Sequence, residues 1–194
     1  MIRRPPRSTH CISSAASDVY KRQKEKDIFA SVGADGSVRQ FDIRDLKHSS
    51  VLYETERLKP ILKLAWNRKE PTYLSVIEME QSYVTLLDSR KPSMPLCKLQ
   101  NHKDCVNAIA WAPQSPIHIC SVGDDCKAYI WDLNSEKHSS YSPLLEYKAD
   151  EQISNLTWSA LQREWLAISF LNQLQILRLW SQFRFLRNIN FQWI

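Results

Sequence analysis

The chain has 194 residues, of which 24% are charged and 43% are hydrophobic, a composition typical of one globular domain with a buried core. No apolar run is long enough to span a membrane as a helix. The formal net charge is +5, but the excess lies in residues 1–23 and 180–194, and residues 24–179 are nearly neutral. Because a phosphate-binding surface needs clustered lysine and arginine, nucleic acid is not expected as a direct partner.

The first segment, residues 1–23, differs from the rest of the chain. It is rich in Arg, Ser and Pro and shows neither the two-residue period of a strand nor the 3.6-residue period of a helix. An arginine- and serine-rich start is typical of a transit peptide, but the string more closely resembles a translated sequencing adapter. We therefore expect residues 1–26 to be a non-native or disordered leader outside the fold.

Three short segments that end in tryptophan recur along the chain. They are ILKLAW, VNAIAW and ISNLTW, and their last residues, Trp66, Trp111 and Trp158, are 45 and 47 residues apart. Large and small side chains alternate in each segment. This alternation predicts strands packed near a crowded axis.

A strand–turn–strand unit recurs between these segments, at 28–44, 73–90, 118–133 and 165–179. Each turn contains residues suited to a hairpin: Asp35–Gly36, Glu80, Asp125 and Asn172. The tryptophan-ending segments and the strand–turn–strand units recur with the same period, and each repeat has room for four short strands. This pattern predicts β-propeller blades. We place the blades at 27–55, 60–100, 105–148 and 153–179, and expect the first to lack its inner strand and the last its outer strand.

One unit carries the motif of WD repeats. Trp131 and Asp132 end its second hairpin strand, Asp125 lies six residues before Trp131, and His102 precedes the strand VNAIAW. In WD repeats such a His, a Ser, the turn Asp and the Trp form a hydrogen-bonded set, and Ser121 is the candidate Ser here. The other units have Phe41, Leu87 and Leu177 where the Trp would stand. Those three blades are expected to depend more on apolar packing.

The resemblance extends over residues 27–178. The segments DIFASVGADGSVRQFDIR, LAWNRKEPTYL, NHKDCVNAIAWAP, DDCKAYIWD and LQILR resemble the carboxy-terminal half of one WD-repeat family. It contains plant anthocyanin and trichome regulators of the Transparent Testa Glabra type and an animal kinase-binding, cullin-ligase-associated counterpart. The resemblance implies an all-β fold, a partial WD-repeat β-propeller with about four blades of seven, open at both ends. We expect unpaired backbone at those ends to make the chain prone to aggregation.

The resemblance also implies a non-enzymatic scaffold or adaptor. The implied partners are dual-specificity tyrosine-regulated or homeodomain-interacting kinases, and MYB or basic helix–loop–helix regulators. No binding residue of the family can be carried over, so only structural positions are assigned. Which partners bind, and on which face, is left open by the sequence.

Two short motifs point instead to a cullin-type ubiquitin ligase. Asp42–Ile43–Arg44 and Asp88–Ser89–Arg90 follow the second hairpin strands of two blades. In many WD proteins an Arg at this position contacts the ligase adaptor, although here Phe41 and Leu87 replace the usual Trp. Arg44 and Arg90 are therefore possible adaptor contacts, in a substrate receptor. The plainer interpretation is a solvated Asp–Arg pair that ends a strand.

Catalytic and metal sites are not predicted. Ser115, His118 and Asp124 lie near His102, but no Gly-x-Ser-x-Gly elbow is present to activate a serine. Cys105, His118, Cys120 and Cys126 lack the Cys-x-x-Cys spacing of a zinc site. GADG at 33–36 lacks the ending of a phosphate-binding loop. We expect no cofactor and no enzyme, with an enzyme on a propeller scaffold as the remote alternative.

The five cysteines are odd in number and lack close pairs, which predicts free thiols in a reducing compartment, the cytoplasm and nucleus.

The tail, residues 180–194, has scattered aromatic residues without clear alternation. An extra strand, a short helix and read-through past the true stop all remain open for it.

Overall fold

The structure is a computed structural model that describes residues 16–21, 27–134, 141–179 and 186–192. Within these ranges the chain forms sixteen β-strands and one 3-10 turn, Glu56–Leu58. The strands form four antiparallel sheets of four, and in each sheet the strands are neighbours in chain order. The predicted all-β fold with four blades is therefore confirmed.

The strand bounds define the blades. Blade 1 contains β1 (Ala16–Lys21), β2 (Ile28–Gly33), β3 (Ser37–Asp42) and β4 (Asp45–Glu54). Blade 2 contains β5 (Ile61–Trp66), β6 (Tyr73–Glu78), β7 (Tyr83–Asp88) and β8 (Pro95–Gln100). Blade 3 contains β9 (Val106–Trp111), β10 (His118–Gly123), β11 (Lys127–Asp132) and β12 (Pro143–Lys148). Blade 4 contains β13 (Asn155–Trp158), β14 (Trp165–Phe170), β15 (Gln173–Leu179) and β16 (Leu186–Gln192).

The middle strands of blades 2 and 3 are buried on both faces because a neighbouring blade covers each face. In blade 3, Ile119 pairs with Trp131 and Ser121 with Tyr129, so these four side chains share one face. Ile119, Tyr129 and Trp131 belong to a core cluster shared with blade 2. The alternate residues of the same strands, among them Val122 and Ile130, belong to a cluster shared with blade 4.

Three such clusters join the blades in a row. One lies between blades 1 and 2, one between blades 2 and 3, and one between blades 3 and 4. Fully burying one large apolar side chain contributes about 1.5–3 kcal/mol, so each cluster is a strong contact. Among the residues that the structure describes, no cluster joins blade 4 to blade 1, and the row is open.

Loops between the strands lie on two rims. The loops from second to third strand, and from fourth strand to the next blade, share what we call the upper rim. There the Met79 N–H donates to the Pro60 carbonyl at 2.8 Å, and the Asp124 N–H donates to the Cys105 carbonyl at 2.9 Å. The remaining loops form the lower rim, where the Asn67 side-chain amide donates to the Pro116 carbonyl at 2.8 Å. The two upper-rim contacts hold an entering loop against its own blade, and the lower-rim contact joins blade 2 to blade 3.

The hairpin turns follow the predicted pattern with one shift. Gly36 (φ 70), Glu80 (φ 56) and Cys126 (φ 60) take left-handed conformations in blades 1 to 3. In the third turn Asp125 accepts the Lys127 N–H at 3.2 Å, and Cys126 supplies the positive φ. In blade 4 the turn residue with positive φ is Leu171 (φ 49), one position before the predicted Asn172.

Blade 1 differs from the sequence-based expectation. β1 lies inside the segment assigned to a leader. It pairs with β2 from Ala16 opposite Gly33 to Lys21 opposite Phe29, with a register shift between Ala16 and Asp18. Blade 1 therefore does not lack its inner strand. Ladder pairing uses backbone N–H and C=O groups, so an exposed strand edge can pair with a segment that has no hydrophobic period. Residues 1–15 and 22–26 lie outside the described part of the chain, and a non-native origin of residues 1–26 stays a prediction.

Blade 4 also has a strand that was not expected. β16 pairs with β15, with Leu186 opposite Leu179 and Gln192 opposite Gln173. The expectation that this blade lacks its outer strand was wrong, and of the three alternatives for the tail an extra strand is the one found. The scattered aromatic residues hid the strand because they break the two-residue alternation.

In the part of the chain that the structure describes, no helix has the length and apolar character needed to cross a membrane.

Candidate functional site

The structure brings the four predicted WD residues together in blade 3. The Trp131 indole N–H donates to Ser121 Oγ at 2.9 Å, and Ser121 Oγ lies 2.8 Å from His102 Nε2. His102 Nδ1 lies 2.9 Å from Asp125 Oδ1 and 3.0 Å from Oδ2. Trp131 and Ser121 are fully buried, and His102 is 6% exposed. The set links β10 and β11 to the loop that enters the blade.

The chemistry of these four side chains fixes which atom donates and which accepts in each hydrogen bond. Indole N–H can only donate and a carboxylate can only accept. Ser121 therefore accepts from Trp131 and donates to His102 Nε2, and His102 Nδ1–H donates to Asp125. Asp125 also accepts the backbone N–H groups of Lys103 at 3.1 Å and Lys127 at 3.2 Å. Each buried polar atom has a partner, which is the condition for such a network to stabilise a core.

Glycine at position 123 is required for this arrangement. A Cβ on Gly123 would overlap the backbone carbonyl oxygen of Cys105 and lie 3.2 Å from His102 Nδ1. The entering loop can therefore approach the end of β10 closely only because position 123 has no side chain.

Burial lowers the pKa of His102 below its ordinary value of 6.5, although the hydrogen bond to Asp125 opposes the shift. Burial also lowers the pKa of His118. In both cases the unfolded chain binds a proton at a pH where the folded chain does not. Their contribution to stability is therefore complete above about pH 6.5 and is lost as the pH falls toward the lower folded-state values.

We predict that the free energy of unfolding is lower at pH 5.5 than at pH 7.5. Urea titrations at the two pH values measure this difference. Replacing either His102 or His118 by glutamine should reduce the pH dependence. His48→Gln is the matched control, because the His48 side chain is 85% exposed. Equal stability of the wild-type chain at both pH values would contradict the prediction.

Blade 2 contains a different polar network, which the sequence did not predict. Glu78 is 4% exposed, and its carboxylate accepts three hydroxyl hydrogen bonds. Thr85 donates to Oε1 at 3.0 Å, Tyr53 to Oε1 at 3.3 Å and Tyr83 to Oε2 at 3.1 Å. Tyr53 lies on β4, so the network crosses from blade 1 to blade 2. Blade 2 thus does not depend on apolar packing alone.

The two tyrosines stay neutral donors. Burial, together with the nearby Glu78 charge, raises the pKa of Tyr83 to about 12 and raises the pKa of Tyr53 further. Glu78 ends β6 at the position where Gly123 ends β10. A long acidic residue in place of the glycine was the only sequence signal of this network.

We predict that Glu78→Ala lowers the free energy of unfolding by about 2 kcal/mol, because it leaves three buried or half-buried hydroxyls without their acceptor. Thermal unfolding of purified protein measures the loss. Glu151→Ala is the control, because Glu151 is exposed and such surface changes usually stay within about 0.5 kcal/mol. A loss no larger than that of the control would show that the network adds nothing.

The three repeat-marking tryptophans all lie buried at the ends of inner strands. Trp111 donates its indole N–H to the Ala65 carbonyl of blade 2 at 3.1 Å, across a blade interface. Trp66 donates to the Pro71 carbonyl at 2.7 Å and Trp158 to the Arg163 carbonyl at 2.9 Å, each closing its own loop. Their role is therefore structural.

Arg44 and Arg90 take the same geometry on the lower rim. Arg44 donates from Nε to Asp42 Oδ1 at 2.9 Å and from Nη2 to Oδ2 at 2.6 Å, and Arg90 donates in the same way to Asp88 at 3.0 and 2.8 Å. These contacts lower the pKa of Asp42 to about 2 and also lower that of Asp88. The arginine side chains remain 71% and 63% exposed. Each guanidinium is thus held in place and still open to solvent.

In the described part of the chain, the residues considered for catalysis and for zinc are not all brought together. Ser115 Oγ lies 2.6 Å from His118 Nδ1, and Asp124 lies elsewhere, beside Asp104 and Cys105. The four residues considered for zinc do not come together. In the cluster of Asp104, Cys105 and Asp124, burial and the neighbouring acids raise the pKa of Cys105, which disfavours the thiolate that binds zinc.

The repeats and the blade 3 network define the class: the chain is a WD-repeat protein. Residues 93–132 match the family described as WD domain, G-beta repeat. The chain is 50% identical over 152 residues to the DDB1- and CUL4-associated factor 7 homolog of Dictyostelium discoideum, a match that covers 78% of this chain and 47% of that protein.

Two further relatives are fungal. An uncharacterised WD repeat-containing protein of Schizosaccharomyces pombe is 27% identical, with 83% of this chain and 50% of that protein covered. A WD repeat-containing protein of Saccharomyces cerevisiae is 35% identical, with 61% of this chain and 26% of that protein covered. The chain spans about half the length, or less, of the curated relatives it matches.

Proposed function

We propose that this chain is part of a non-enzymatic scaffold that holds other proteins together. The observation that carries the proposal is the 50% identity to a relative whose name describes association with DDB1 and CUL4. A row of blades joined by buried clusters is rigid, and its two loop-lined rims offer surfaces for partners.

A finer proposal concerns the partners. Resemblance to the Transparent Testa Glabra type and its animal counterpart favours dual-specificity tyrosine-regulated or homeodomain-interacting kinases, or MYB and basic helix–loop–helix regulators. Such partners would place the protein in the cytoplasm and nucleus.

Affinity purification of the tagged chain from cells, followed by mass spectrometry, tests the scaffold. We expect kinases or transcription regulators of these types to co-purify. The control is the tag expressed alone, without this protein. Recovery of neither type above that control would overturn the proposal.

A second candidate function is a substrate receptor of a cullin-type ubiquitin ligase. The specific observation in its favour is that Arg44 and Arg90 repeat one exposed, preorganised geometry on the same rim. Two fixed guanidinium groups suit recognition of carboxylates on an adaptor.

The test is co-purification with DDB1. Arg44→Glu combined with Arg90→Glu should abolish it, and Lys103→Glu on the upper rim should leave it unchanged. Unchanged recovery of DDB1 with the double variant would contradict the receptor hypothesis and would not affect the scaffold proposal.

A further inference from the structure

Each blade in the middle of the row has two faces with different neighbours. We call the face toward the blade before it in the chain the preceding face, and the opposite one the following face. In blade 3 the preceding face carries Ile119, Tyr129 and Trp131, which pack on blade 2. The following face carries Val122 and Ile130, which pack on blade 4. Every interface in the described row pairs the following face of one blade with the preceding face of the next.

The following face of blade 4 is not covered by a blade in the described chain. The hairpins of blades 3 and 4 align position by position, with Trp165 at the place of His118. By this alignment the following face of blade 4 carries Ala167, Ser169, Leu174 and Ile176. Their counterparts in blade 3 are buried, whereas these four side chains are only half-buried. A groove of about 270 Å³ on this face is lined mainly by apolar side chains, among them Ala167 and Ile176.

The preceding face of blade 1 is the second face that the described row leaves uncovered. By the same alignment it carries Phe29, Ser31, Arg39 and Phe41, at the places of Ile119, Ser121, Tyr129 and Trp131 in blade 3. Phe29 and Phe41 stack with ring centroids 5.0 Å apart, and neither belongs to a cluster that joins two described blades. An aromatic pair at the positions that Ile119 and Trp131 use against blade 2 suits packing on a following face.

A second copy of the chain supplies the face that matches blade 4. The following face of blade 4 needs a preceding face to reproduce the packing within the row, and blade 1 carries one. Two following faces do not meet at any interface between described blades, so a contact of blade 4 with blade 4 is disfavoured. Arg39 does not oppose burial of the blade 1 face, because its guanidinium already donates to Ser37 Oγ at 2.9 Å and pairs with Asp35 at 3.5 Å.

The curvature of the row allows two copies to close into a ring. The row bends around an axis, because β5, β9, β13 and Asp18 of β1 border one cavity of about 340 Å³. A head-to-tail contact that joins two different faces either closes into a ring or grows into a filament. Propellers close with about four to eight blades, and two copies of this four-bladed row supply eight.

We propose that two copies of the 194-residue chain associate head to tail in a ring. The following face of blade 4 in each copy packs on the preceding face of blade 1 in the other. The association buries both faces that the described row leaves uncovered. It goes beyond the proposed scaffold function and does not depend on it.

Analytical ultracentrifugation of the full chain over a dilution series tests the proposal. We expect a reversible dimer and no larger species. Ile176→Lys on blade 4 and Phe29→Lys on blade 1 should each raise the dissociation constant about a hundredfold, because each places a charge in an apolar contact. An equimolar mixture of the two variants should dimerise more tightly than either variant alone, since each contributes one intact face and the two intact faces match.

Met94→Lys is the matched control, because Met94 is 71% exposed in a lower-rim loop of blade 2 and lies on neither face. It should leave the association unchanged. A monomer at every concentration, or an equal loss with the control, would overturn the proposal. Normal dimerisation of Phe29→Lys together with loss in Ile176→Lys would also overturn it, because that pattern indicates a contact between two blade 4 faces.

Circular dichroism shows whether each variant keeps the fold. If a lysine variant unfolds, Thr157→Arg and Ser49→Arg block the same two faces from positions that are already exposed. Amide hydrogen exchange gives an independent measurement, since raising the protein concentration should slow exchange in blades 1 and 4. Slowing confined to blades 2 and 3 would contradict the proposed contact.

Discussion

Replacing Trp131 by alanine should lower the free energy of unfolding by about 3–5 kcal/mol, the cost usual for removing a large aromatic side chain from a core. Trp131 is fully buried in the cluster between blades 2 and 3 and packs beside Tyr129, with ring centroids 5.8 Å apart. The change leaves a cavity in that cluster. It also removes the donor to Ser121 at the start of the hydrogen-bond chain. Thermal unfolding followed by circular dichroism should show a midpoint lower by about 10 °C.

Trp131→Phe separates the two parts of this loss. Blade 1 already has Phe41 at the corresponding position, so phenylalanine is compatible with the blade. This variant keeps most of the packing and loses the indole donor, and it should cost about 1–2 kcal/mol. If the two variants lose the same stability, the contribution of packing at this site has been overestimated.

Gly123→Ala should lower the free energy of unfolding by about 1–3 kcal/mol or more, although it adds a single methyl group. The methyl would overlap the Cys105 carbonyl, which is itself held by the Asp124 N–H at 2.9 Å. The Gly123 carbonyl also accepts the Ile153 N–H of the next blade at 3.2 Å. The strand end cannot shift without breaking one of these contacts, so the entering loop and His102 must move.

Urea titration measures this loss, and Lys103→Ala provides the control. Lys103 is exposed in the same entering loop, and its backbone N–H, not its side chain, binds Asp125. The control should change stability by less than about 0.5 kcal/mol. If Gly123→Ala is as stable as the control, the loop adapts and the close approach is not required.

The blade 3 network was predictable because each member occupies a position set by the repeat. His102, Ser121, Asp125 and Trp131 could be assigned by counting residues from one tryptophan. The Glu78 network could not be predicted in this way, because its donor Tyr53 belongs to the preceding blade and the residue at position 78 departs from the repeat. The sequence indicated that blade 2 lacks the usual set, but not what replaces it.

The ends of the fold were missed for physical reasons. β1 and β16 are recruited through backbone pairing, which leaves no hydrophobic signature in the sequence.

The open row of blades has a consequence for cooperativity. Each blade is coupled through a buried cluster only to the blades next to it in the described chain, so the molecule behaves as a one-dimensional array with nearest-neighbour coupling. Blades 2 and 3 are stabilised from both sides, whereas blades 1 and 4 are stabilised from one. Within the described chain, structural fluctuations should therefore be larger in blades 1 and 4 than in blades 2 and 3. Glu78 and the His102 network lie in the two blades that this coupling protects most.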